Sequence, residues 1–182
     1  MVWQDKISVK KGTTAEELVH ARLERLGFTV YRPETEGPHL IDILAIKGAG
    51  PQMIAVDVKA KARRTYYPDT GINIRVYKRY LALGEKHDIS IMLVFVDEYL
   101  RRIYGNWLNE LSRPVKIAVG EKIIEYPLYS GGIIYFPLAS MIVLGEIEAG
   151  KVAELSRLSV RSYEYANNEE NMLVKGRDDA NI

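Results

Sequence analysis

The sequence predicts an α/β fold, a central mixed β-sheet flanked by helices with a β-rich stretch after it. Three observations carry that expectation. Residues 13–26 repeat apolar side chains at helical spacing just before a strand-like segment. Two strand-like runs, 40–46 and 53–60, are separated by the turn-forming Lys47-Gly48-Ala49-Gly50-Pro51. A second helical pattern at 74–86 leads into the fully apolar run 89–96. A meander of antiparallel strands, a crossover helix and a further buried strand make a mixed sheet.

In the first helix, Ala15, Leu18, Val19, Leu23 and Leu26 form the stripe, Thr13 or Thr14 is the candidate N-cap, and Gly27 is the stop. Phe28 to Tyr31 is β-branched and aromatic, a strand that ends in a Pro33 to Pro38 loop. The Gly48 to Pro51 turn makes the next two strands an antiparallel hairpin. Residues 66–71 read as a loop, and 89–96 as a strand buried on both faces. Beyond Arg101 the expectation is short strands at 115–119, 123–129, 132–136 and 141–144, then a helix at 149–158. The domain reading is a core over 1–100, a β-rich extension over 101–164 packed on it in the same domain, and a flexible polar tail over 165–182.

Composition narrows the function. At 182 residues, with 47% hydrophobic and 27% charged content, the chain suits one soluble domain, and no apolar run is long enough to span a bilayer. The charged N-terminus lacks the apolar segment of a secretory signal, so a cytoplasmic location is expected. Zero cysteines exclude disulfides, thiol nucleophiles and thiolate zinc sites. Net charge is only +1, but residues 59–86 hold eight basic side chains against two acidic ones, a local field that attracts phosphates.

Strand alternation picks out the chemistry. On the 53–60 strand, Asp57 and Lys59 share a face opposite Val56 and Val58. Lys61 and Arg63 continue that face if the strand runs on. On the neighbouring strand, Asp42 interrupts Leu40-Ile41-Asp42-Ile43-Leu44, and a carboxylate among aliphatic residues needs a partner. The first helix offers a third carboxylate. Glu16 lies about 80° from the centre of the apolar stripe and Glu17 about 180°, so only Glu16 can reach a site. Three hard oxygen donors without histidine or cysteine suit Mg²⁺ or Mn²⁺. Beside them Lys59 supplies a cation for the extra negative charge that develops in phosphodiester hydrolysis.

These residues carry a resemblance to the PD-(D/E)xK nuclease superfamily, whose pattern is a helix Glu, an Asp on the second strand and (D/E)-x-K on the third. More narrowly, Lys11-Gly12-Thr13-Thr14-Ala15-Glu16, running on to Gly27-Phe28-Thr29-Val30, is similar to the opening of archaeal Holliday-junction resolvases, as are Ile41-Asp42-Ile43 and Val56-Asp57-Val58-Lys59. The resemblance covers about residues 10–96. It implies a restriction-endonuclease-like core in which Asp42, Asp57 and the Val58 carbonyl bind metal, Glu16 adds a metal or water contact, and Lys59 is the catalytic cation. It also implies a homodimer, because resolvase-type cutting needs two symmetry-related sites. Ile41 stands where the family has proline, and Asp57 where many members have Glu. The 74–86 helix lacks the Gln of exonuclease members, though Tyr77 and Lys78 are placed to face the site. Nothing after Arg101 has a counterpart in the compact resolvases.

The resulting expectation is a metal-dependent endodeoxyribonuclease for recombination, repair or phage-type DNA processing. Lys11, Lys61, Arg63, Arg64, Tyr66 and Lys78 are its candidate DNA contacts. The alternative is a DNA-binding or assembly protein on a nuclease scaffold without turnover. Of the other features, His39 stands near Asp42 as a possible DNA or water contact, Asp97-Glu98 reads as a solvated strand end, and Ile133 to Phe136 as a candidate dimer edge.

Overall fold

The computed structural model of the chain describes residues 7–33, 39–48 and 53–159. Helix α1 (Ile7–Arg25) begins well before Thr13. Neither threonine caps it. The Thr13 hydroxyl donates back to the Val9 carbonyl (3.1 Å), and buried Thr14 donates to Glu154 of a C-terminal helix, α4 (Ala149–Arg157), at 3.0 Å. The helix thus takes in Lys10-Lys11-Gly12, with Lys11 bound to Glu98 and Thr14 bound to α4.

Six strands form the main sheet: β1 (Phe28–Tyr31), β2 (Ile43–Lys47), β3 (Met53–Lys59), β5 (Ser90–Asp97), β6 (Arg102–Trp107) and β11 (Ile142–Glu146), in that spatial order. The β1–β2–β3 meander is antiparallel, β3 and β5 run parallel through helix α2 (Ile74–His87), and β5–β6–β11 is antiparallel again. The expected mixed sheet is therefore present. Both faces of β3 are covered: Ile54, Val56 and Val58 pack with Ala15, Val19 and Leu23 of α1, while Ala55 joins Tyr77 and Tyr80 of α2 with Leu93 and Phe95 of β5.

Two strands are absent from the sequence reading. The supposed loop at 66–71 contains the start of β4 (Asp69–Asn73), which pairs with β10 (Ile133–Pro137) and through it with β9 (Leu128–Ser130). Residues 133–136 are therefore not a dimer edge, because β10 is the central strand of this small sheet and Ile134 to Phe136 are buried. The second is β6. It lies between β5 and β11, where two partners hold it although Gly105 and Asn106 interrupt its strand-forming Ile103, Tyr104 and Trp107. Pro127 divides the run expected at 123–129 into β8 (Lys122–Tyr126) and β9, and β8 forms a two-stranded ribbon with β7 (Val115–Val119). A four-residue helix, α3 (Leu108–Leu111), follows β6. The tail from residue 165 lies outside the described residues.

Gly105 shows how tightly β6 is seated. A Cβ there would be driven into the Leu93 carbonyl, which is backbone and cannot step aside. Gly105→Ala is therefore expected to lower stability by about 1–3 kcal/mol, as overpacking does. Urea unfolding would show it as a lower midpoint, and an unchanged midpoint would contradict this seating. The exposed edge at β11 is blunted by a register shift between Val143 and Gly145 and by the Arg22 guanidinium, which donates to the Leu144 carbonyl. Among the described residues, no helix is long and apolar enough to cross a membrane.

Candidate active site

The site is assembled where β2 and β3 meet. Asp57 lies on the α2-facing side of β3 opposite Leu93 of β5, and is 1% exposed. Alternation carries Lys59 to the same side, and its Nζ donates to Asp57 Oδ1 at 2.7 Å. Asp57 Oδ2 makes no well-formed hydrogen bond, and its interaction with the Tyr80 hydroxyl on the inner face of α2 is a loose one that still lowers the carboxyl pKa. Burial pushes the Asp57 carboxyl up to about 6; the Lys59 charge opposes that rise and the Asp42 charge adds to it. Burial, followed by the Asp57 charge, also holds the Tyr80 hydroxyl above its ordinary range.

Asp42 stands just before β2 and prolongs its ladder, its N–H donating to the Val56 carbonyl at 3.2 Å. Its Oδ2 accepts from the Val58 N–H at 2.7 Å, and its Oδ1 lies 3.5 Å from His39 Nδ1. In an extended strand, the N–H and carbonyl of one residue point to the same edge, so the Val58 carbonyl is aimed toward the Asp42 side.

Glu16 is half-buried and Glu17 exposed, as the helical angles require. Glu16 Oε2 accepts from Arg32 Nη2 at 2.7 Å. Burial raises the Glu16 pKa most, the bond to Arg32 works against it, and the nearby Asp42 charge adds to it. Arg32 is the group that sequence reading missed. It directly follows β1, whose Phe28 and Val30 turn toward α1, and alternation carries position 32 to that same side. A charged residue continuing an inward-facing row was the available signal. Tyr80 lies within the helical pattern at 74–86, and a tyrosine buried to 1% exposure calls for a partner for its hydroxyl.

The expected basic contacts separate into groups. Lys11 is bound to Glu98 (2.6 Å), and Arg64 makes a bidentate pair with Asp69 (2.6 and 2.5 Å) between the rings of Tyr67 and Tyr135. β3 stops at Lys59, so Lys61 and Arg63 do not continue its face. Lys61 Nζ donates to the Gly71 carbonyl (3.0 Å), while the Arg63 N–H donates to Asp97 (2.9 Å) and its side chain is exposed. Tyr66 is 67% exposed, and Lys78 is exposed on α2. Tyr77 faces the core instead of the site, its hydroxyl 2.8 Å from Ser112 Oγ.

Asp97 and Glu98 are not a solvated strand end, since both are buried. Asp97 accepts from the backbone of Arg63, Tyr99 and Leu100 and from the Tyr104 hydroxyl (3.1 Å), which fixes the turn after β5. Glu98 Oε1 takes Lys11 and Ser159.

The donors around Asp57 fit a hard cation. A buried carboxylate oxygen with no well-formed hydrogen bond stands near a second carboxylate, and both are oxygen ligands of the kind magnesium and manganese take. Among the described residues, no three carboxylate or imidazole groups already stand together as a metal cluster, and Glu16 is drawn to Arg32 instead. Two surface clefts, of about 420 and 260 Å³, border other residues, Arg113 and Met141 in one and Arg22 and Glu146 in the other.

No protein-family model and no curated protein matches the sequence. Among solved structures, the chain is similar to Hjc of Archaeoglobus fulgidus, described as a Holliday junction resolvase from an archaeal hyperthermophile. That similarity has a TM-score of 0.48 and 15% identity over 71% of this chain and 86% of that one.

Proposed function

We propose that this chain is a divalent-metal-dependent nuclease that hydrolyses DNA phosphodiester bonds as an endonuclease, with Mg²⁺ or Mn²⁺ as its cofactor. The observation that carries the reading is the buried Asp57 with Asp42 and Lys59 beside it, its second oxygen held at most loosely by the Tyr80 hydroxyl. An isolated buried carboxylate is costly. Glu98 Oε2 likewise makes no well-formed hydrogen bond, so what distinguishes Asp57 is the second carboxylate, Asp42, close enough to raise its pKa. Two neighbouring carboxylates, one of them buried with an oxygen only loosely held, are what a cation site needs.

In this reading Asp42, Asp57 and the Val58 carbonyl hold the cation, and Glu16 is a further metal or water contact kept at the rim by Arg32. When bound, a divalent cation supplies Lewis acidity at the phosphate and lowers the pKa of water. Lys59 places a positive charge where the phosphate gains negative charge. Its present partner, Asp57, sets its direction before substrate arrives. The K-G-x-x-A-E segment is the reason to include branched DNA among the substrates, and two-strand cutting would take a second copy of the chain.

The test is incubation of the purified chain with four-way, single-stranded and duplex DNA in Mg²⁺ or Mn²⁺. Cleavage that disappears in EDTA is expected, and intact DNA throughout would overturn the reading. Lys59→Met separates binding from chemistry. It should slow cleavage about 10²–10³-fold, as loss of one transition-state charge partner does, while the DNA Kd changes little. A large rise in Kd with an unchanged rate at saturation would instead make Lys59 a backbone contact.

A further inference from the structure

We infer that the exposed face of the first two turns of α2, formed by Arg75, Lys78 and Arg79, is the track along which the backbone of duplex nucleic acid runs into the carboxylate centre. This rests on the nuclease reading above and names the surface that delivers the substrate.

Position is the first argument. Tyr80 on the inner face of α2 lies by Asp57, while Gly84 lies against Ile89 and Ile91 at the start of β5. The helix therefore runs antiparallel to β3 and β5, and its residues 74–79 lie at the sheet end that carries Lys59 and Asp42. Three cations standing there border the reacting centre.

Electrostatics is the second. Arg75 is spaced i,i+3 from Lys78 and i,i+4 from Arg79, so the three side chains are neighbours on one face and repel one another. Arg75 also stands in the first turn, at the positive end of the helix dipole, where acidic residues are the stabilising choice, and that turn contains none. All three are exposed, and among the described residues none forms an ion pair. By contrast, Lys59 and Arg64 of the same basic run are each bound to a buried carboxylate. A solvated helix face mixes charge signs, whereas this one gathers like charges, the first of them where the helix itself disfavours it. An incoming polyanion relieves that repulsion.

The test measures binding of labelled duplex DNA against salt concentration, with EDTA present so that nothing is cut. Arg75→Gln/Lys78→Gln/Arg79→Gln is expected to flatten the slope of log K on log[salt] by about 2–3, close to 0.9 per lost phosphate contact. Its melting temperature should stay the same or rise, because repulsion has been removed. Arg25→Gln/Lys47→Gln, at the other end of the sheet, should leave the slope unaltered. An unchanged slope in the triple variant, or equal flattening in both variants, overturns this inference. If wild type still cuts DNA with metal and needs Asp57, the nuclease reading survives that outcome. Wild type that neither binds nor cuts DNA overturns both.

Discussion

Asp57→Asn is expected to abolish DNA cleavage and, without divalent cation, to raise the melting temperature at pH 8. The first effect follows from losing one charged ligand of the cation, whose contribution of several kcal/mol corresponds to a rate loss on the order of 10³-fold. The second follows from burial. The carboxyl has a folded pKa of about 6, above its ordinary 3.8, so the folded state holds this proton more tightly than the unfolded chain. Below about pH 4 both states are protonated and the residue is neutral in the balance. As pH rises from 4 to 6 stability falls, and above 6 the full cost of the buried charge is present, on the order of 3 kcal/mol at most. Asn removes the charge and keeps an acceptor for Lys59, so its advantage should be largest at pH 8 and vanish near pH 4. Calorimetry at the two pH values in EDTA checks this. A variant less stable than wild type at pH 8 would mean that Asp57 is a structural ion-pair partner and not a site kept at the expense of stability.

Arg64→Ala should be the most damaging substitution outside the site. Asp69 is fully buried and holds the Arg64 guanidinium by two bonds, with the Tyr126 hydroxyl at 2.8 Å as its third partner. Removing the cation leaves a carboxylate uncompensated in the interior, which costs about 3–5 kcal/mol. Arg64→Lys should recover only part of that, since an ammonium cannot reproduce the planar fork or lie between Tyr67 and Tyr135. Urea unfolding of both variants measures the effect. Full stability in Arg64→Ala, together with weakened DNA binding, would restore Arg64 as a backbone contact.

The parts of this molecule visible in the sequence are those where one local pattern decides the outcome. The apolar run of β5 needs no tertiary information, and the turn after Lys47 with alternation in β3 is enough to set Asp42 beside Asp57. The helical angle alone separates Glu16 from Glu17. What stayed hidden depends on neighbours distant in sequence. β6 is broken in sequence by Gly105 and Asn106, is held in place by β5 and β11 on either side, and has Gly105 where the Leu93 backbone must be admitted. β4 begins Asp-Thr-Gly, ordinary turn chemistry, until Arg64 and Tyr126 neutralise Asp69. The Arg32–Glu16 pair joins residues 16 apart in the chain through the packing of α1 on β1, and no spacing rule announces it.

The most direct test of the account is the initial rate of DNA cleavage as Mg²⁺ is titrated into wild type and into Asp57→Asn. The account predicts a wild-type rate that is zero in EDTA, rises to saturation with the metal, and is lost in the variant across the whole titration. Cleavage that persists in EDTA, or an Asp57→Asn rate equal to that of wild type, would contradict it.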